Sequence, residues 1–303
     1  MNDTKICLLG GDTRQASLAR YLARYGYETA VWGVPFRGDS GADFKGVRCI
    51  DPASAVSGSR AVILPLPASV DGVRVHTVSE LNSTDGFRTE LRLTELMEML
   101  PIGTLLLAGK PNDVLKSMAR NANHRLIDYY DSEEIQIKNA VPTAEGAIAL
   151  AMEGLPITLF GAKAAVLGYG RIGQRLAAVL RALGAHVTVA ARSRRDLTWA
   201  SVAGYKATEM SDFLSNPGRQ DVIFNTVPAP ILREDFLNSL SSDTLLIELA
   251  SAPGCIEKAA LPHVRQKVIR AASLPGRVAP VSAGKILFET IVRILDEEGV
   301  GAK

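Results

Sequence analysis

The feature that most constrains the fold is a glycine-rich turn between a strand pattern and a helix pattern. An apolar run of small residues enters the motif G-x-G-x-x-G at Gly168, Gly170 and Gly173, and an amphipathic pattern and a second β-branched run follow. In this geometry Gly168 makes the tight turn, Gly170 lets the backbone approach a pyrophosphate, and Gly173 lets the helix pack on the strand. The complete βαβ pattern therefore predicts a dinucleotide site, to which the turn contributes Gly168, Tyr169, Gly170, Arg171, Ile172 and Gly173. The alternative is a glycine-rich turn without a ligand.

The end of the second strand indicates which dinucleotide binds. An NAD site usually carries Asp or Glu there, to bind the ribose 2′-hydroxyl. This chain instead has Ala191, Arg192, Ser193 and Arg194, with no acid before Asp196. A hydrogen bond to a charged group is worth about 1.5–3 kcal/mol, so cations here favour the 2′-phosphate of NADP. NAD remains possible if the segment is a solvated basic turn without selectivity.

Polar residues also follow two later apolar runs. Because parallel strands present their ligand loops at the carboxyl edge of a sheet, these residues are predicted to line the nicotinamide side of the site. The alternative is that they are ordinary loop residues. The residues concerned are Asn225, Thr226, Val227, Pro228, Ala250 and Ser251.

Composition excludes several classes of protein. The 303 residues are 47% hydrophobic, and 34 Lys and Arg against 32 Asp and Glu leave a formal net charge of +2. We therefore expect about two well-cored domains and no nucleic-acid partner. The charged N-terminus is unlike a signal peptide, and no uncharged stretch approaches the roughly 18 residues of a membrane span. The three cysteines are scattered and show no metal-ligand spacing, so we expect a cytoplasmic protein with reduced thiols and no metal.

The N-terminal half repeats the alternation of short apolar strands and helical patterns. The fold class is therefore predicted to be α/β, with two doubly wound Rossmann-like domains and a cleft between them. The predicted segments are an N-terminal substrate domain at 1–141, a connecting helix or hinge at 142–155, an NADP-binding domain at 156–276, and a C-terminal segment at 277–303. The last helix of that segment is expected to return to the N-terminal domain.

Two groups of residues are candidates for contact with substrate. Gly11, Asp12 and Arg14 lie where a glycine turn opens a helix, and the Arg14 guanidinium suits a carboxylate. The alternative is that Asp12 caps the helix and Arg14 is solvated. Near the hinge, Glu145 is a candidate base and Thr143 a neighbouring polar group, although both fit a helix-capping arrangement equally well. The catalytic residue is otherwise unidentified.

Seven motifs taken together resemble the A subunits of dipicolinate synthase. They occur in order along nearly the whole chain, as G-G-D-x-R-Q from Gly10, P-T-x-E-G from Pro142, V-L-G-x-G-R-x-G from Val166, A-R-S from Ala191, N-T-x-P from Asn225, L-A-S-x-P-G from Leu249 and L-P-G-x-V-A-P-x-x-A-G from Leu274. The resemblance implies NADP-dependent oxidation of a dihydrodipicolinate-type precursor from the lysine pathway to pyridine-2,6-dicarboxylate during sporulation. It further implies a small dicarboxylate substrate, a partner in the form of a flavoprotein-like B subunit, and a location in the mother cell. We also expect a homo-oligomer.

The sequence departs from that family in one loop. Two other functions are also compatible with it. Ala252 and Cys255 stand where the family is expected to carry Arg and Gly, which questions a substrate role for this loop. A D-2-hydroxyacid dehydrogenase shares the two-domain plan, but it would require a catalytic histidine, and none follows His263. A non-catalytic dinucleotide-binding subunit that serves a catalytic partner is the other alternative.

Overall fold

The computed structural model describes residues 4–36, 43–78, 90–250 and 253–302. The chain divides into two compact units. The first comprises Met1–Lys138 with Ala279–Lys303, and the second comprises Asn139–Val278. In the described ranges, no helix combines the length and the apolar character that crossing a membrane requires.

The first unit is built on a parallel sheet, six-stranded over the described residues, in the order β3-β2-β1-β4-β5-β6. Its strands are β1 (Lys5–Leu9), β2 (Glu28–Trp32), β3 (Val47–Arg48), β4 (Ala61–Ile63), β5 (Leu105–Ala108) and β6 (Arg125–Asp128). Its helices before the boundary are α1 (Thr13–Tyr25), α2 (Pro52–Val56), α3 (Leu93–Met99) and α4 (Asp113–Asn121), and α5 (Glu133–Gly154) crosses the boundary. Alternate residues of β1 enter different cores, with Ile6 and Leu8 on one face and Cys7 and Leu9 on the other. Helices therefore cover both faces of the sheet, as the apolar runs predict.

The second unit repeats this plan, with the strand order β12-β11-β10-β7-β8-β9. All of its strand pairs are parallel. The strands are β7 (Lys163–Leu167), β8 (His186–Ala191), β9 (Lys206–Glu209), β10 (Val222–Asn225), β11 (Leu245–Glu248) and β12 (Val268–Arg270). The helices are α6 (Arg171–Ala182), α7 (Arg194–Val202), α8 (Met210–Ser215), α9 (Glu234–Ser239) and α10 (Leu274–Val278), with a 3-10 helix at Lys258–His263. The predicted class of two doubly wound Rossmann-like sheets is confirmed.

The last helix, α11 (Pro280–Glu297), belongs to the first unit. Leu287 and Ile291 of α11 share a core with Leu18 and Leu22 of α1. The two helices cross closely at Gly284, where an added Cβ would lie 2.5 Å from the Ser17 Cβ. The C-terminal helix therefore completes the core formed by the N-terminal residues.

The connecting helix begins earlier than the predicted residue 142, and the alternative in which Thr143 caps it is wrong. Helix α5 begins at Glu133 and contains Pro142 in its interior. The Thr143 hydroxyl donates to the Asn139 carbonyl 2.7 Å away, within the helix, and so does not cap it. An interior proline costs about 3 kcal/mol. Burial of Ala144, Ala147 and Ile148 in the core offsets that cost.

Candidate dinucleotide-binding site

The three glycines of the β7–α6 turn have three different surroundings. Gly168 has φ +90°, and a Cβ there would lie 2.5 Å from the Thr226 Oγ1. A Cβ on Gly173 would lie 2.2 Å from the Gly168 carbonyl oxygen. A Cβ on Gly170 would meet nothing within 4 Å. The turn therefore has no room at its two packed glycines and open space at the middle one, as a pyrophosphate-binding turn requires.

Hydrogen bonds to neighbouring strands hold this turn in place. The Gly168 N–H donates to the Ala190 carbonyl at 2.8 Å. The Thr226 hydroxyl and N–H both donate to the Leu167 carbonyl, at 2.8 and 2.9 Å. Gly170 is the N-cap of α6 and provides no side chain to cap the helix. The N-terminus of α6 therefore has no capping side chain, and a helix N-terminus is a position where an anion binds favourably.

The end of β8 presents cations and no carboxylate. Arg192, Ser193 and Arg194 are exposed, and neither arginine forms an ion pair with another described residue. The Ser193 hydroxyl caps α7 by accepting from the Asp196 N–H at 3.4 Å. The Asp196 carboxylate lies inside the first turn of α7, 3.4 Å from the Arg195 Nε. This strand end therefore offers two exposed guanidinium groups to an anion.

Asn225 and Glu248 form a buried network at the ends of β10 and β11. The Asn225 amide donates to the Glu248 carboxylate at 2.7 Å and to the Val227 carbonyl at 2.9 Å, and its oxygen accepts from the Val227 N–H. Glu248 also accepts from the Ala250 N–H at 2.9 Å and from the Cys255 N–H at 2.6 Å. The Asn225 side chain thus holds the loop through Thr226, Val227 and Pro228 in place by hydrogen bonds within the protein.

Sequence reasoning missed Glu248. Its carboxylate joins two loops at the carboxyl edge of the sheet, and Glu248 is only 9% exposed. The available signal was an acid that ends the apolar strand Leu245–Glu248, because a buried charge needs partners. Burial and the Glu248 carboxylate both raise the pKa of the Cys255 thiol. Cys255 therefore stays protonated at neutral pH and packs in the core. Ser251, predicted to line the nicotinamide, lies outside the described residues.

In the first unit, the buried Arg14 side chain forms an ion pair with the partly buried Asp12. The Asp12 carboxylate caps α1 by accepting from the Arg14 N–H at 2.9 Å. The Arg14 guanidinium returns two hydrogen bonds to Asp12, of 2.7 and 2.9 Å, and donates to the Leu66 carbonyl at 2.7 Å. The Gly11 N–H donates to the His76 carbonyl at 2.8 Å. The alternative in which Arg14 is solvated is therefore wrong, because its side chain is only 6% exposed.

The structure brings some of the predicted residues together. The glycine turn, Ala191–Arg194, Asn225–Pro228 and Ala250 all lie at the carboxyl edge of the second sheet. Gly11, Asp12 and Arg14 lie at the carboxyl end of β1 in the other unit. Thr143 and Glu145 lie on α5, where Thr143 is buried and Glu145 is exposed.

Comparison with known proteins gives the family. Residues 5–130 match the family described as the N-terminal domain of the dipicolinate synthase A subunit, and residues 140–275 match the D-isomer specific 2-hydroxyacid dehydrogenase, NAD binding domain. The dipicolinate synthase A subunit of Bacillus subtilis (strain 168) is 30% identical over 297 residues, which cover 97% of this chain and 96% of that protein.

Solved structures show the same relationship. The crystal structure of the dipicolinate synthase A chain from Bacillus subtilis has a TM-score of 0.81 and 31% identity, covering 98% of this chain and 97% of that chain. The dipicolinate synthase A subunit from Bacillus halodurans has a TM-score of 0.83 and 29% identity, covering 97% and 98%. The second unit is thus a nicotinamide dinucleotide-binding domain of the dehydrogenase type, and the chain as a whole belongs to the family of dipicolinate synthase A subunits.

Proposed function

We propose that this chain is the dehydrogenase subunit of a dipicolinate synthase. It uses NADP to oxidise a dihydrodipicolinate-type precursor from the lysine pathway to pyridine-2,6-dicarboxylate. The observation that carries the proposal is the open space at Gly170, on the same sheet edge as a β8 end with two exposed arginines and no carboxylate. The names of the relatives support the choice of product, because they are subunits of dipicolinate synthase.

This reaction demands little of the protein. The precursor loses one hydrogen as hydride and one as a proton, and the ring becomes aromatic. NADP⁺, when bound, supplies the hydride acceptor. The chain must then hold the cofactor, hold the two carboxylates of the substrate and provide an acceptor for one proton.

On the cofactor side, each group has a separate task. The backbone at Gly168–Gly173 holds the pyrophosphate, and Arg192, Ser193 and Arg194 hold the 2′-phosphate. The Glu248 carboxylate fixes the loop that begins at Asn225, and this loop lines the nicotinamide side of the site together with Ala250. Because Glu248 holds this loop and Ala250 by hydrogen bonds of 2.6–2.9 Å, little ordering of the nicotinamide side is left for the moment of binding.

On the substrate side, we propose that Arg14 holds a carboxylate on the turn that includes Gly11. Asp12 accepts two guanidinium N–H groups and thereby fixes the direction of the Arg14 side chain. A carboxylate from the substrate would take donors that Asp12 and Leu66 do not use. Glu145 is the candidate proton acceptor, since its carboxylate is exposed on α5, and Thr143 packs on the buried side of that helix.

The proposed enzyme acts with a second kind of chain. The relatives are described as the A subunit or A chain of dipicolinate synthase, which implies at least one other kind of chain in that enzyme. We propose that the partner is a B subunit, that this chain forms a homo-oligomer, and that both are cytoplasmic in the mother cell of a sporulating bacterium.

The deciding experiment incubates the purified chain with NADP⁺ and freshly generated precursor, alone and with the B subunit. We expect NADPH and pyridine-2,6-dicarboxylate in equal amounts, with slow turnover by the chain alone. If dinucleotide binds but neither product forms with or without the B subunit, the chain is a non-catalytic binding subunit. Full turnover that is unaffected by the B subunit would refute the proposed dependence on that partner.

A D-2-hydroxyacid dehydrogenase is the second candidate, because residues 140–275 match the NAD-binding domain of that family. His263 argues against it. This residue lies on the 3-10 helix that precedes β12, and its Nδ1 is 3.2 Å from the Glu234 carboxylate. It is therefore at the amino end of a strand, away from the carboxyl edge that carries the dinucleotide turn. D-2-hydroxyacids offered with either cofactor in the same assay should give no reduced dinucleotide.

A further inference from the structure

A cavity of about 550 Å³ opens at the amino edge of the second sheet. Lys163, His186 and Lys206 are the first residues of β7, β8 and β9 and line it. Because all these strands are parallel, the cavity lies at the opposite edge from the glycine turn. Its volume falls within the range of about 300–1,000 Å³ that is usual for small-molecule sites. It is therefore separate from the dinucleotide site.

The lining of this cavity carries charge of one sign. Its basic residues come from five different elements and loops, and no acidic residue of the described chain lines it. The ionisable side chains of basic character in the lining are Lys163, Arg181, His186, Lys206 and Arg219. The carboxylate beside the rim is Asp221, which accepts the Lys163 N–H at 2.8 Å and lies 4.0 Å from the Arg219 Nε. The whole chain has a formal net charge of only +2, so this one cavity concentrates the fixed positive charges of two lysines and two arginines.

One of these cations is held in position before any ligand arrives. The Arg181 guanidinium lies 5.0 Å from the centre of the Tyr205 ring and donates to the Ala203 carbonyl. Gly204, between them, has φ +82°, and a Cβ there would lie 3.2 Å from the Arg181 Nη1. A cation–π contact and a backbone hydrogen bond thus restrict Arg181 to the wall of the cavity. A pre-positioned guanidinium binds an oxyanion with less loss of side-chain entropy.

We propose that this cavity binds a small polyanion that carries two or three carboxylate or phosphate groups. Cations gathered from separate elements repel one another, and an anion held among them removes that repulsion. The concave shape favours a small molecule over an extended polymer, since a cavity lined by one sign of charge raises the local concentration of small counter-ions. Arg181 provides a fork for one oxyanion group, and Lys206 and Arg219 at the rim provide donors for a second.

The test uses two probes, inorganic pyrophosphate for the phosphate source and citrate for the carboxylate source. Each is titrated by calorimetry at constant ionic strength into full-length protein saturated with NADP⁺, so that the glycine turn does not compete for the probe. The double variant Lys206→Gln/Arg219→Gln should bind the preferred probe about tenfold or more weakly, because two charged hydrogen bonds are lost. The matched control, Lys258→Gln/Arg265→Gln, removes the same two charge types outside the cavity and should bind normally.

Backbone amide NMR locates the bound probe. We expect the largest shifts at residues 204–206 and 218–220, which line the cavity. Tighter binding of pyrophosphate identifies a phosphate ligand, and tighter binding of citrate identifies a polycarboxylate. The proposal is overturned if neither probe binds, if the two double variants lose the same affinity, or if the shifts map to another surface.

Discussion

Separate replacement of Gly170 and Gly173 with alanine should distinguish a glycine needed for dinucleotide binding from one needed for stability. Gly170 has φ −77° and ψ −165°, which alanine adopts without strain, and its added Cβ would meet no atom within 4 Å. Gly173 lies in α6, where an added Cβ would lie 2.2 Å from the Gly168 carbonyl oxygen. The two variants add the same methyl group three residues apart. They should therefore have opposite consequences.

The expected magnitudes follow from those surroundings. Gly170→Ala reduces the conformational entropy of the unfolded chain, which stabilises the folded protein by about 0.4–1 kcal/mol. Replacement of a glycine N-cap by alanine destabilises it by a similar amount. Its free energy of unfolding should thus be nearly unchanged. For Gly173→Ala, the clash is with backbone that cannot rotate away, so overpacking should cost about 1–3 kcal/mol. A loss of that size lowers the Tm by several degrees.

Dinucleotide affinity should change in the opposite sense, with the larger loss in Gly170→Ala. The methyl group of Gly170→Ala fills the space through which the pyrophosphate reaches the backbone amides. Loss of one hydrogen bond to a charged group weakens NADP binding by roughly ten- to a hundredfold. The methyl group of Gly173→Ala lies on the packed side of the turn, against the Gly168 carbonyl, so NADP affinity should fall less than in Gly170→Ala. The assays are calorimetric titration with NADP⁺ and thermal unfolding without cofactor.

Two results would refute this reasoning. If Gly170→Ala bound NADP⁺ as well as the unmodified protein, the turn would not hold the pyrophosphate. If Gly170→Ala were as unstable as Gly173→Ala, the space around the middle glycine would not be open.

Three further predictions concern single side chains. Arg192→Asp should reverse the preference for NADP over NAD, and equal binding of the two cofactors by the unmodified protein would contradict the assignment. Arg14→Ala should weaken binding of pyridine-2,6-dicarboxylate by about 1.5–3 kcal/mol and leave NADP affinity nearly unchanged. Because this change also leaves the partly buried Asp12 carboxylate without its cation, Asp12→Asn/Arg14→Ala is the comparison that separates binding from stability. Glu248→Gln should cost about 1–3 kcal/mol of unfolding free energy, measured in urea, because an amide group cannot accept from both Asn225 and the two loop amides as the carboxylate does.

The strongly patterned segments were the ones that sequence could predict. Strand β7, its glycine turn and helix α6 follow from an apolar run, a motif and a helical period that all agree. Strand β9 has the sequence KATE and lies at the edge of its sheet, so it lacks the apolar run that marks a buried strand. The same applies to the two-residue strand β3. These two edge strands are specified by pairing, which a single sequence does not display.

Buried charge was the other feature that pattern could not predict. One interpretation of Arg14 from sequence left its guanidinium in solvent, whereas the fold encloses it between Asp12 and the Leu66 carbonyl. Glu248 is similar, because its three donors come from residues 225, 250 and 255 and meet only after the strands pair. A sequence shows where charges occur, but partners distant in sequence decide whether a charge can leave water.

The packing of α11 on α1 affects how the chain can fold during synthesis. Leu18 and Leu22 share their core with Leu287 and Ile291, so more than 260 residues separate the two halves of one apolar surface. A ribosome adding about 5–20 residues per second releases α1 long before α11. The second unit, which is continuous in sequence from Asn139 to Val278, emerges whole in the interval. We therefore expect the domain that comes second along the chain to finish folding first, while the nascent α1 keeps an apolar face until α11 has been synthesised.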